Sequence, residues 1–132
     1  MASRKIEDLH PSLAYAFGKA EANWKAQNPA APQPFIVCTH RPNEEQDVLF
    51  KSKPKLTNAR AGESPHNYLP ALAFDIAFKL ANGALTYETK WFDHFAPFLK
   101  DVGGITWGGD FETFKDRPHF ELTVWRVLVR KP

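Results

Sequence analysis

Two histidines and two aspartates stand where their types can do chemistry: His66 and Asp75 in SPHNYLPALAFD, and Asp116 and His119 in DRPHFEL. Two imidazoles and one carboxylate form the donor set of a catalytic zinc site, in which three protein ligands leave a fourth position for a water. A second carboxylate, here Asp116 three residues before His119, can take that water's proton. The pattern is not the common metalloprotease one, in which both histidines share a helix face. Spacing alone therefore leaves another reading open, in which each histidine is a polar side chain with an ordinary hydrogen-bond partner. His10, at a helix start, and His94, in the polar phase of an aromatic helix, call for no metal.

The elements that must position these residues can be read from periodicity. Residues 71–78 alternate: Leu72, Phe74, Ile76 and Phe78 point one way, and Ala71, Ala73, Asp75 and Ala77 the other. This predicts a strand with one bulky face and one on which a lone carboxylate stands among methyl groups, with room beside it. His119 opens a later strand, Phe120 to Val129, with Phe120, Leu122 and Val124 toward the core and His119, Glu121 and Thr123 opposite. Ile105 to Phe111 reads as a further strand, and Phe35 to Thr39 as a short one.

Pro11 starts a helix whose apolar positions Leu9, Leu13, Phe17, Ala20 and Trp24 recur at steps of three and four. The proline-rich stretch 28–34 ends it as a rigid connector. A short helix runs from Pro42 to about Phe50, and residues 51–70 form a long irregular loop. From Lys90, Trp91, Phe92, Phe95, Phe98, Leu99 and Val102 fit a helix closed by Gly103-Gly104, with a kink or early break expected at Pro97. Helices flanking a small, mainly antiparallel sheet define an α+β fold.

Length and composition bound the rest. At 132 residues, 43% of them hydrophobic, the chain is expected to form one domain with a real core. A net charge of +2 without a Lys/Arg cluster argues against a nucleic-acid partner. Cys38 is the only cysteine, so neither an internal disulfide nor a thiolate cluster is available, and its apolar run FIVC reads as a buried strand. No apolar stretch is long enough to span a membrane and the N-terminal residues lack an apolar signal region, so the expectation is a soluble protein made in the cytoplasm.

Four motifs in order resemble the zinc peptidases that cut peptidoglycan peptides, the VanY-like D,D-/L,D-peptidases and above all the L-alanyl-D-glutamate endopeptidases of phage endolysins. They are Ser64-Pro65-His66, Ala73-Phe74-Asp75, Asp116-Arg117-Pro118-His119, and the upstream THRPNEEQDVLF, which is similar to an Arg-x-x-x-Glu-Gln segment. WGGDFETFKDRPHFEL, residues 107–122, and LTNARAGESPHN strengthen the likeness, which runs from about residue 35 to 125. One departure stands out. The step from His66 to Asp75 is nine residues, longer than the glycine-containing loop of the common form, and Leu69-Pro70 stand in its place.

The resemblance implies a hedgehog/D,D-peptidase-like fold and one zinc ion held by His66, Asp75 and His119. It implies Asp116 as the general base and Arg41 as the residue that stabilises the developing oxyanion or holds substrate. Ser64 is expected to order the His66 loop or bind substrate. Trp107, with Asp110 and Glu121, is a candidate for shaping the cleft. The implied partner is bacterial peptidoglycan, cut at the L-Ala–D-Glu bond by a monomeric single catalytic domain without a separate wall-binding domain. As an endolysin it would collect in the cytoplasm of the infected host and reach the wall after holin-type release. The alternatives are a D-alanyl-D-alanine carboxypeptidase and a non-catalytic, zinc-stabilised binding module.

Overall fold

A computed structural model of the chain describes residues 2–130. Helix α1 (Pro11–Gln27) starts on a proline that pre-sets its first turn, and the His10 ring caps it by accepting from the Ser12 amide. Leu9, Leu13, Phe17, Ala20 and Trp24 are buried, the face that the spacing predicts. Strand β1 (Gln33–Cys38) begins at Gln33 rather than Phe35. Pro34 is tolerated there because β1 is an edge strand. There follow α2 (Asn43–Lys51), β2 (Ala73–Lys79), β3 (Leu85–Thr86), α3 (Thr89–Lys100), β4 (Ile105–Trp107), β5 (His119–Leu122) and α4 (Trp125–Leu128). Residues 52–70 are irregular except for a 3-10 turn at Pro65–Asn67.

The strands run in the order β1-β2-β5-β4, with β3 paired to the far end of β2, and every ladder between them is antiparallel. The α+β reading therefore stands. The bulky face of β2 and β5 carries the core. Phe17 of α1 meets Phe74 edge-on at 5.5 Å, Phe92 of α3 meets Phe78 at 5.0 Å, and Trp24 joins the two helices by meeting Phe95 at 5.6 Å. Both helices thus occupy one face of the sheet, and the other is left to the polar residues. Among the described residues no helix is long and apolar enough to cross a membrane.

Further boundaries differ from the sequence expectations. Helix α3 passes Pro97 and continues to Lys100. Pro97 and Asp93, whose carbonyl loses its partner, are both exposed, so that carbonyl is open to solvent while Phe95, Ala96 and Leu99 stay buried. The strand from Ile105 ends at Trp107, where the chain tightens into a 3-10 turn, Gly108–Asp110. The last strand ends at Leu122 instead of reaching Val129, and Val124 is 54% exposed rather than core. Its ladder partners run out at Ile105 and Ala73, the Thr123 amide turns to the Gly104 carbonyl, and Trp125 folds back onto Glu121.

Candidate active site

Directly opposed residues on antiparallel strands share a face of the sheet. The register places Cys38, Asp75 and His119 in one row across β1, β2 and β5. His66 reaches this row from the Pro65–Asn67 turn. Ser64 Oγ accepts from the His66 amide at 3.2 Å, and the Asn67 side chain answers by accepting from the Ser64 amide at 3.1 Å. The longer step from His66 to Asp75 does not spread the two apart. The loop is folded back by the Leu72 amide on the Pro65 carbonyl, at 3.0 Å, and by the Ala71 amide on the Asp8 carbonyl, at 2.7 Å.

Three side-chain atoms converge as a result. His66 Nε2 is 3.1 Å from Asp75 Oδ1 and 3.2 Å from His119 Nδ1, and His119 Nδ1 is 3.1 Å from Asp75 Oδ1. Nitrogen and oxygen ligands at ordinary zinc distances on a tetrahedron stand about 3.3 Å from one another. The outer partners of the rings explain what the three atoms present. His66 Nδ1 lies 2.7 Å from the Thr39 carbonyl, and His119 Nε2 lies 2.7 Å from Glu121 Oε1, so each ring donates its proton outward. The inward nitrogens are then lone pairs facing a carboxylate oxygen, an arrangement that asks for a cation. The donor set therefore fits one zinc ion held by His66, Asp75 and His119.

The electrostatics point the same way. Burial opposes charge on His66, but the charge and hydrogen bond of Asp75, aided by Cys38, outweigh it and push the imidazole up to about 10. Burial likewise opposes charge on His119, and its bonds to Asp75 and Glu121 raise it nonetheless. Asp75, which burial alone would raise, is held well below the usual carboxylate range by the two imidazoles. A proton and a divalent cation answer the same demand of this pocket. Cys38 Sγ also lies close, 3.8 Å from His66, but on Nδ1, the nitrogen turned away from the triangle. Its buried strand position is the one its apolar run predicts.

Asp116 and Arg41 flank the triangle. A carboxylate oxygen of Asp116 lies within 4.8 Å of the donor atoms of Asp75 and His119. Burial first, and then the charge of Asp75, raise the pKa of Asp116 above its ordinary value, a shift that suits a proton acceptor. Arg41 donates to Gln46 Oε1 at 2.9 Å and reaches Asp75 Oδ2, the oxygen outside the triangle, at 3.4 Å. Gln46 is itself fully buried and donates to the Ala59 carbonyl at 2.8 Å, which ties the guanidinium to the long loop.

The structure brings His66, Asp75, Asp116, His119, Arg41 and Ser64 together along one open cleft of about 1320 Å³, but not Trp107. Trp107 stands opposite Phe120, on the core side of the sheet, where its ring stacks at 6.4 Å and its indole donates to the Arg117 carbonyl at 2.7 Å. It braces the turn before His119 from behind instead of facing substrate. Asp110 pairs with Lys100 at the surface. Glu121, a candidate for shaping the cleft, lines it as the buried partner of His119, and Trp125 donates to its second oxygen at 3.0 Å. The alternation of β5 puts Glu121 on the face of His119. No signal marks Trp125, because its segment reads as strand.

A sheet row and a capped turn that converge two imidazoles and a carboxylate, with a further carboxylate alongside, define a hydrolase-type metal centre. Comparison with known proteins agrees. The peptidase M15 family described as D-alanyl-D-alanine carboxypeptidase matches residues 57–122, which hold His66, Asp75, Asp116 and His119 but not Arg41. Over 128 residues the chain is 34% identical to the peptidoglycan L-alanyl-D-glutamate endopeptidase CwlK of Bacillus subtilis, covering 87% of this chain and 74% of CwlK. The fold is similar to the L-Ala D-Glu endopeptidase ChiX of Serratia marcescens, with a TM-score of 0.70, 21% identity, and 96% and 92% of the two chains covered. It is also similar to the LD-carboxypeptidase LdcB, with a TM-score of 0.53, 20% identity, and 96% and 66% covered. The chain belongs to the VanY-like M15 family of metal-dependent peptidases.

Proposed function

We propose that the chain is a zinc-dependent peptidoglycan endopeptidase that hydrolyses the L-Ala–D-Glu bond of stem peptides as the catalytic domain of a phage endolysin. The triangle of inward-facing lone pairs on His66, Asp75 and His119, with Asp116 beside it, carries this reading. The relationship to CwlK supports the choice of bond. The likeness of residues 107–122 to endolysin members supports the phage role, and with it host-cytoplasmic accumulation and holin-type release.

Each residue has a task in that reaction. His66, Asp75 and His119 would hold the zinc ion, which would supply a Lewis acid to acidify water and polarise the scissile carbonyl. Asp116 accepts the proton of the attacking water at a carboxylate oxygen and returns it to the leaving amine nitrogen. Arg41, oriented by Gln46, offers its guanidinium to the negative charge that develops on the carbonyl oxygen. Ser64 holds the His66 turn closed.

A D,D-carboxypeptidase is the second reading, favoured by the description of the matching family. Mass spectrometry of digested sacculi separates the two, since the endopeptidase frees stem peptides cut after L-Ala and the carboxypeptidase removes one terminal alanine. Chelator-sensitive clearing of outer-membrane-stripped cells is expected. Sacculi left intact by the zinc-loaded protein would overturn both readings.

A further inference from the structure

Two arginines line the cleft, Arg41 and Arg126, and they differ in what they are bonded to. Arg41 is committed to Gln46 and Asp75. Arg126 is exposed, and among the described residues no carboxylate stands within ion-pair distance of it. Its guanidinium instead lies over the Trp125 ring, 4.5 Å from the centroid. That ring is no loose support. Trp125 is 4% exposed, and its indole is anchored to Glu121, the partner of His119. Two hydrogen bonds therefore connect the platform under Arg126 to a ligand of the triangle. A guanidinium laid on a fixed ring has already given up much of its rotamer freedom, so it loses less on taking a partner.

We propose that Arg126 is a specificity-determining residue that binds a substrate carboxylate next to the scissile bond. The assignment rests on the L-Ala–D-Glu reading of the site. A glutamyl residue inside a peptide uses one carboxyl to continue the chain and leaves the other free, so a substrate cut at that bond brings an anion beside the cut. The cleft meets it with four acidic side chains, Glu63, Asp75, Asp116 and Glu121, and with Arg126 as the cation that no acid has claimed. A planar guanidinium suits a carboxylate because it can give two parallel N–H bonds.

The test uses the zinc-loaded protein and two synthetic stem peptides that differ only in the D-Glu carboxyl not used by the chain, free in one and a primary amide in the other. The measured quantity is the ratio of kcat/KM for acid over amide, which cancels the amount of folded enzyme in a preparation. The wild type is expected to favour the acid by about tenfold or more, as a charge-assisted pair would. Arg126→Gln and Arg126→Ala should bring the ratio close to one, mostly through KM for the acid, and Arg126→Lys should restore part of it. The preference should also shrink as salt rises. A wild type without preference, or a Gln or Ala variant that keeps it, overturns the role of Arg126 and leaves the bond assignment standing. A wild type that cuts neither peptide overturns the L-Ala–D-Glu reading, and the Arg126 assignment with it.

Discussion

His119 Nε2 and Glu121 Oε1 stand 2.7 Å apart, two positions along the same strand and on the same face of it. This bond decides which nitrogen of His119 meets Asp75. With the Nε2 proton given to Glu121, Nδ1 is left as the lone pair 3.1 Å from Asp75 Oδ1. Glu121→Ala removes the acceptor and frees the ring, and zinc affinity is expected to fall about 10–100-fold. Glu121→Gln keeps an acceptor oxygen without the charge and should lose less. Competition against a chromophoric chelator measures both. Equal affinity in all three proteins would mean that the ring is oriented by some other contact.

Asp116 is assigned a task in proton transfer and none in holding metal, which separates two readouts. Asp116→Asn should lower kcat by about 10²–10⁴-fold, the usual span for a lost acid–base group. Bound zinc, measured by elemental analysis, should stay at one per chain. An active Asp116→Asn protein removes the base assignment, and a variant that loses its metal makes Asp116 a ligand.

Residue chemistry was more legible in the sequence than backbone path. The candidate donors could be picked out because few residue types can hold a metal, and the alternation of residues 71–78 put Asp75 on the face away from Phe74, Ile76 and Phe78, where the structure has it. Trp107 and Trp125 exchange roles for a different reason. A tryptophan beside a polar motif reads the same from sequence whether its indole lies behind the sheet or over the cleft. The register of β4 opposite Phe120 decides it for Trp107, and the end of β5, where its ladder partners run out, decides it for Trp125. The longer His66–Asp75 step was equally opaque, because the bonds that fold it back come from Pro65 within the loop and from Asp8, far away in sequence.

Zinc uptake should release protons. In the metal-free protein Asp75 pushes His66 up to about 10, so at pH 7 the site holds a proton that the metal must displace. Calorimetry in buffers of different ionisation enthalpy should report about one proton or more released per zinc. The apparent Kd should tighten by about tenfold per pH unit between pH 7 and 9. The same shifts set the stability of the metal-free fold. His66, raised from 6.5, contributes fully below pH 6.5, and its contribution is lost as pH rises through about 10. Asp75, lowered from 3.8, contributes above pH 3.8, and its contribution is lost as pH falls further. Thermal melts of metal-free protein across that range should therefore decline at both ends. A heat of binding indifferent to buffer would show that His66 is already neutral at pH 7.

Gly108 offers a way to move the base without touching any ligand. Its backbone packs directly on that of Asp116: the Asp116 amide donates to the Gly108 carbonyl at 2.9 Å, and a Cβ on Gly108 would lie 2.1 Å from the Asp116 carbonyl oxygen. That neighbour is main chain, so it cannot swing aside as a flexible side chain would. Gly108→Ala must push the Asp116 segment away, and Asp116 is one turn from His119, whose amide bonds to the Asp116 carbonyl at 3.1 Å. A displacement of about 1 Å in a reacting group can cost about 10²-fold in rate. The expected outcome is a kcat lowered by about that factor, with KM nearly unchanged and zinc retained, read from steady-state kinetics beside elemental analysis. Gly109→Ala is the contrasting variant: its Cβ would meet the Trp107 ring at 2.3 Å, so its first effect should be a lower melting temperature, because the ring it displaces stacks on Phe120 in the core. If Gly108→Ala melted early but kept its kcat, the Gly108 contact would serve the fold alone, and Asp116 would owe its position to the His119 turn.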